Sequence, residues 1–425
     1  MRFNSLSELV AIARSGSPFY RSLYRDVPEC DISLPELPIA RFSEVMAAVH
    51  DDYRALVASR DAYGICYTTS GTTGHPKETL FGRDEWRTAH EILSLMHFQS
   101  GALRDGDVVL NLSEPGSASF MAIHRVVDTF PGRCSEIPIG CDVGFATVAK
   151  VAEQFRATVI AGMSPTLLGL AEWLLRKRGG NLCIHSLLGG GELLYGTQRS
   201  LLQVAFPEAT FCAFMYGAAE AGLIGYGEPS LPHNQVRVLD AVCKLEIVCP
   251  ERFTPITEVG RIGRVVITNF LRVASPALRL ETGDLAMWHD SPTAPNPRIS
   301  LHGRLFPFAL DVMGLHLCED QVFRLLRLLE AELPLLKVQL VLKGSMETPV
   351  VIVRLAVSGD TPAPLVESCV RRAFGHACPA LAASMSAGDL PPLVVETVPL
   401  SFFEEASRRK SRLILDLRER LGVLD

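Results

Sequence analysis

No Cys-x-x-Cys pair occurs among the eleven cysteines of this 425-residue chain, and their number is odd. That argues against a closed zinc site and against a disulfide framework. The cysteines read as mostly reduced core residues in a reducing compartment. Positive charge is not in excess either. The chain has 41 Lys and Arg against 47 Asp and Glu, a net charge of −6, so a broad nucleic-acid-binding surface is not expected. No uninterrupted apolar run approaches the roughly 18 residues that a spanning helix needs. The opening MRFNSLSELVAIARSGS reads as a short amphipathic helix and not a signal peptide, because Glu8 interrupts its apolar stretch. Cytoplasmic residence without a membrane partner is the expectation. There is no repeat, no GxSxG nucleophile elbow, and no HExxH or clustered His/Cys ligand set.

What is present is an ordinary folding composition, 48% hydrophobic and 21% charged, in a chain long enough for roughly two to three domains. Residues 63–68 (YGICYT) read as a short buried strand, followed by a Ser/Thr/Gly loop. Arg83 to Phe98 carries Trp86, Ala89, His90, Leu93 and Phe98 at helical spacing. Strands are expected at 108–112, 158–161, 186–188 and 211–215, with helices at 164–178 and 195–206. Such alternation implies an α/β domain with a largely parallel sheet. Residues 235–290 change to strand-like segments with short connections, read as an antiparallel or barrel-like element.

A boundary is expected near His302–Gly303. Beyond it the pattern predicts a helix at 319–333, with Val322, Leu325, Leu326 and Leu329 as its core stripe. A β pair (337–342, 349–357), a helix (363–377), a strand (393–398) and a charged terminal helix (411–421) follow. The expected domains are therefore an α/β unit at 1–302 and a smaller α+β unit at 303–425.

The most informative string is Tyr67-Thr68-Thr69-Ser70-Gly71-Thr72-Thr73-Gly74-His75-Pro76-Lys77. Its glycines let backbone N–H groups approach a phosphate closely. The hydroxyls at 69, 70, 72 and 73 can donate to phosphate oxygens, and Lys77 adds a point charge. It is not a Walker A loop, because Pro76 separates Gly74 from Lys77 and disfavours helical dihedrals at His75.

With this string the chain resembles the AMP-forming, adenylate-forming ligases, in particular their phenylacetate–CoA ligase branch. Further segments match in order. Gly189-Gly190-Gly191-Glu192 is similar to the glycine-rich adenine-side loop, Tyr216-Gly217-Ala218-Ala219-Glu220 to the Tyr-Gly-x-Thr/Ser-Glu segment, and Thr282-Gly283-Asp284 to the Thr-Gly-Asp motif. Gly303-Arg304 is similar to the Gly-Arg opening the hinge, and Lys410 sits where that branch places its catalytic lysine. The stretch from Pro165 to Tyr226 is also similar to indoleacetate–lysine ligase, an amide-forming relative.

The resemblance implies ATP-dependent activation of a carboxylic acid as acyl-AMP, with Mg²⁺, then transfer to CoA. Residues 69–77 would hold the β- and γ-phosphates, Glu220 the Mg²⁺, and Asp284 the ribose hydroxyls. Tyr216 would stack on adenine, Arg304 contact ribose or phosphate, and Lys410 bridge carboxylate and α-phosphate. His124, Phe120, Met163, Phe214, Ala218 and Ala219 are the candidate acid-site residues; the small Ala218 and Ala219 with the aromatic Phe214 would suit a flat aromatic acid. Two departures stand out: Ala219 lacks the usual hydroxyl, and the hinge residues Leu305-Phe306-Pro307-Phe308 are apolar. They leave open an amine or a carrier-protein thiol as acceptor, and a nucleotide-binding protein without turnover. A homodimer is one possible assembly.

Overall fold

The computed structural model describes residues 4–418 apart from 53, 59–63, 69–77, 178–181, 192–193, 195, 233, 305–309, 318, 346, 401 and 404–413. The chain divides into two compact units, Met1–Leu193 with Phe206–Leu305 and Leu194–Ala205 with Phe306–Asp425.

The first unit opens with α1 (Leu6–Gly16), α2 (Pro18–Leu23) and α3 (Phe42–Asp51). Ser5 and Glu8 form a capping box on α1: each backbone N–H donates to the other's side chain. Next, β1 (Gly64–Thr68) and β2 (Glu78–Gly82) pair antiparallel from Gly64↔Gly82 to Thr68↔Glu78, so they close on residues 69–77. β1 is not the buried strand expected. Gly64 and Cys66 are exposed, because the two strands form a sheet of their own and only the Ile65/Tyr67 side meets the core. Helix α4 (Arg83–Ser100) follows directly.

Five strands, β3 (Asp107–Asn111), β4 (Cys134–Ile137), β5 (Val159–Met163), β6 (Ser186–Gly190) and β7 (Thr210–Ala213), form a parallel sheet in the order β4-β3-β5-β6-β7. Helices α5 (Ala118–Asp128), α6 (Phe145–Gln154) and α7 (Ser164–Lys177) make crossovers, as parallel strands require. The first four residues of β5 and of β6 are buried, which explains the apolar residues 159–161 and 187–188 within them. The strand expected at 211–215 stops at Ala213. Phe214 and Met215 lead into β8 (Tyr216–Ala218) of another sheet.

That sheet is antiparallel: β8, β9 (Gly222–Tyr226), β10 (Gln235–Val238), β11 (Cys243–Val248), β12 (Ile262–Asn269), β13 (Ala277–Trp288) and β14 (Arg298–Arg304), ordered β11-β12-β13-β14-β10-β9-β8. It curls into a barrel-like element. The Asn269 amide on β12 donates to the Ala221 and Leu223 carbonyls at 2.8 and 3.1 Å, although three strands separate β12 and β9 in the order. One core runs from the parallel sheet and α4 to the barrel, with Leu93, Val159, Leu188, Ile224, Val265 and Trp288 in it. A second, around Tyr20, Tyr24 and Leu278, packs α1 to α3 on β13, where both tyrosine hydroxyls meet the Leu278 carbonyl.

The second unit contains α8 (Gly196–Ala205), the hairpin β15 (Leu310–Val312) and β16 (Leu315–Leu317), α9 (Glu319–Glu332), β17 (Leu335–Gly344), β18 (Pro349–Val357), α10 (Ala363–Ala377), α11 (Pro379–Ala387), β19 (Val394–Thr397) and β20 (Ile414–Asp416). Its four-stranded sheet runs β19-β18-β17-β20. The stripe Val322, Leu325, Leu326 and Leu329 is core, as expected. Gln198 of α8 donates to the Leu336 carbonyl at 2.5 Å. The expected terminal helix is corrected at 414–416. These residues form a strand pairing parallel with β17 from Leu340↔Ile414 to Leu342↔Asp416, because an open edge offers backbone partners that local charge patterning does not register.

Of the ten described cysteines five are buried and three exposed (Cys30, Cys66, Cys183), so fewer are core residues than expected. Among the described residues no helix is long and apolar enough to cross a membrane.

Candidate active site

The Thr-Gly-Asp segment lies within β13 as a local irregularity. Gly283 has φ +82°, and a Cβ there would sit 3.2 Å from the Phe42 ring. Only glycine meets both demands without strain. The Thr282 hydroxyl accepts from the Asp284 N–H at 3.1 Å, which fixes the turn. Asp284 is buried, and its backbone pairs with Arg304 on β14. Its carboxylate accepts from the Tyr216 hydroxyl at 2.9 Å. The neighbouring Glu281 points elsewhere: it binds Arg264 at 2.8 Å and the Phe42 N–H at 2.9 Å.

Tyr216 begins β8, and Gly217 and Ala218 pair with Leu223 and Gly222 across the turn that carries Glu220. Both residues flanking Glu220 are pinned by their carbonyls. Ala219 accepts from the Thr79 hydroxyl at 2.9 Å, and Ala221 accepts from Asn269. Thr79 lies on β2, one residue beyond the register pair that closes on residues 69–77. The hairpin carrying the hydroxyl-rich string is thereby tied to the Tyr216–Glu220 segment.

Glycine-rich residues end the parallel sheet on the side where open α/β sheets bind ligands. Gly190 pairs with Met163, and the Ser164 hydroxyl donates to the Gly190 carbonyl at 3.1 Å. Gly191 follows with φ +90°. Phe214 is buried, its N–H bonded to the Gly189 carbonyl at 2.7 Å and its ring stacked on His97 with centroids 5.5 Å apart. The His97 Nε2 lies 2.8 Å from the Phe214 carbonyl. Burial pushes the His97 pKa down from 6.5 to about 4, against the raising effect of that bond. His124, on α5, is half exposed and pairs with Glu136 of β4 at 2.6 Å. Asn111 donates to the same carboxylate at 2.8 Å.

Structure therefore brings together Tyr216, Asp284 and the backbone of Arg304, and links the Glu220 turn to β2. Thr69, Ser70, Gly71, Thr72, Thr73, Gly74, Lys77, Glu192 and Lys410 lie outside the described residues. Sequence reasoning missed Thr79, Glu85, His97 and Arg272. Arg272 did leave a signal, as the single charge in the otherwise uncharged run from Asn269 to Leu278.

Comparison with solved structures gives the fold. The chain superposes on 2-hydroxyisobutyryl-CoA ligase in complex with an acyl-AMP with a TM-score of 0.70, at 16% identity, over 97% of this chain and 88% of that one. It superposes on the acyl acid amido synthetase AtGH3.15 with a TM-score of 0.62, at 14% identity, over 93% and 86%. For the amide bond synthetase McbA of Marinactinospora thermotolerans the values are 0.53, 16%, 78% and 64%. By sequence it is similar to indoleacetate–lysine synthetase of Pseudomonas savastanoi, 24% identical over 162 residues, which span 37% of this chain and 40% of that relative. No family model matches. The fold is that of the AMP-forming, adenylate-forming ligases.

Proposed function

We propose that the chain activates a carboxylic acid with ATP and passes the acyl group from the adenylate to the CoA thiol, releasing AMP. The carboxylate oxygen attacks the α-phosphorus, the P–O bond to the β-phosphate breaks, and pyrophosphate leaves. Two anions must meet, so the protein's task is positioning and charge neutralisation. The observation that carries this reading is the Tyr216–Asp284 hydrogen bond. It joins two motifs 68 positions apart into one buried acceptor for a ribose.

In this reading residues 69–77 grip the β- and γ-phosphates, and Gly190, Gly191 and Glu192 border the adenine. Asp284 accepts from the ribose, with Arg304 beside it. Glu220 suits Mg²⁺ as a single carboxylate, since this cation takes most of its remaining ligands from phosphate and water. Its pinned turn supports that role, and among the described residues no group of three or more His, Cys, Asp or Glu is preassembled for a metal. Bound Mg²⁺ would spread the charge of the leaving pyrophosphate. Lys410 bridges carboxylate and α-phosphate. It belongs to a mobile unit at 303–425 that turns between activation and transfer against the unit at 1–302. Phe214, Ala218 and Ala219 border the acid, which we take to be aromatic.

Acid-dependent pyrophosphate exchange across aryl, indolyl and aliphatic acids tests the first step; exchange with none of them rejects it. Likeness to indoleacetate–lysine synthetase and to two amide-forming enzymes favours one second reading, transfer to an amine. Offering CoA, amino acids and carrier protein to the active acid separates the acceptors.

A further inference from the structure

One charged group at the site is unused by the proposed reaction. Arg272, between β12 and β13, is 2% exposed. Its guanidinium donates to the Leu80 carbonyl at 3.0 Å and the Thr79 hydroxyl at 3.2 Å, and lies 4.1 Å from the centroid of the Phe81 ring. All three partners belong to β2. The same group meets Glu85 of α4 at 3.4 Å. Glu85 in turn accepts from the Val273 and Ala274 N–H groups at 2.6 Å each and from Gly82 at 3.0 Å. The Glu220 carboxylate also favours the charged form of Arg272. Thr79, which it holds, donates to the Ala219 carbonyl at 2.9 Å. Gly222 makes room for this: it has φ +77°, and a Cβ there would sit 3.1 Å from the Arg272 Cδ.

An apolar side chain of similar size would fill this space without the cost of burying an ion pair. The Arg272 Nε is buried with no hydrogen-bond partner among the described residues, a further cost. A planar fork does something an apolar group cannot: it grips strand and helix at fixed angles, and reaches the turn through Thr79.

We propose that Arg272 is a positioning residue for the polyphosphate side of the site, holding the hairpin that carries residues 69–77 in register with the turn that carries Glu220. It touches neither nucleotide nor acid. The inference rests on the ATP-dependent reading above, and it predicts that damage at Arg272 reaches ATP and Mg²⁺ use while sparing acid recognition.

Three variants test it, each read by melting temperature, by ATP binding in calorimetry and by pyrophosphate exchange. Arg272→Lys keeps the charge and loses the fork. Arg272→Met with Glu85→Gln removes the pair without stranding a charge. Thr79→Val cuts the bridge to Ala219 and one of the Arg272 hydrogen bonds but leaves the Arg272–Glu85 pair in place, and guards against the others failing to fold. We expect the KM for ATP and the half-saturating Mg²⁺ concentration to rise at least tenfold in the Arg272 variants and about threefold in Thr79→Val. The KM for the acid should stay within twofold. Folded variants with wild-type ATP and Mg²⁺ parameters overturn the proposal, as does an equal rise in both KM values. If the wild-type protein exchanges normally in that case, the proposed function stands and only the role of Arg272 falls. Wild-type protein that neither binds ATP nor exchanges pyrophosphate overturns both.

Discussion

The Tyr216 hydroxyl donates to the Asp284 carboxylate across 2.9 Å, although β8 and β13 are separated by three other strands in their sheet. Only the curl of the barrel makes this bond. It converts two short motifs, each ambiguous alone, into one buried polar pair.

Removing the Tyr216 hydroxyl should therefore be felt at Asp284. Tyr216→Phe deprives a buried carboxylate of a donor, a loss of about 1–3 kcal/mol, measurable as a lower urea midpoint. Asp284→Ala should weaken ATP use and leave the ranking of acids unchanged. A reordered acid preference would argue against its ribose role.

Gly283 tests the turn itself. Gly283→Ala puts a Cβ 3.2 Å from the Phe42 ring at φ +82°. The strain should cost about 1–3 kcal/mol and raise the KM for ATP more than that for the acid. Thermal melts with kinetics on the same protein decide it.

In the proposed reaction Lys410 would separate the two half-reactions. Lys410→Ala should suppress adenylate formation by at least a hundredfold, a size typical of a charge acting on the transition state. Transfer from a supplied acyl-adenylate should survive. Equal loss of both steps would remove Lys410 from its proposed role.

Two buried histidines set a pH dependence. Burial lowers the pKa values of His90 and His97 from 6.5 to about 4. Below pH 6.5 the unfolded chain takes up protons that the folded chain refuses. Stability is thus complete above pH 6.5, falls between about 6.5 and 4, and levels off below, by at most ~1.4 kcal/mol per pH unit for each histidine. Urea unfolding of the wild type and His97→Gln at pH 5 and pH 7 checks this. The variant should show the smaller pH difference.

Much of the fold could be read from residue order. Apolar runs marked β5 and β6 because strands covered on both faces tolerate little else, and the 3.6-residue stripe of α9 marked its buried side. The segment at 414–416 misled because its pairing depends on the open edge of β17, which local pattern cannot register. His97 was invisible as a site neighbour, and the lone charge of Arg272 pointed to no partner, for a related reason: a single polar residue has no period, and its meaning comes from what folds over it.

The sequence alone determined the alternation of strands and helices, the glycine that the Thr-Gly-Asp turn demands, and the hydroxyl-rich string before Lys77. These rest on local dihedral preference and side-chain chemistry, which need no distant partner. Tertiary structure decided that Tyr216 meets Asp284 and that Thr79 reaches Ala219. Both contacts depend on how a seven-stranded sheet curls and where a hairpin packs, which is settled by burying one continuous core and not by any single segment.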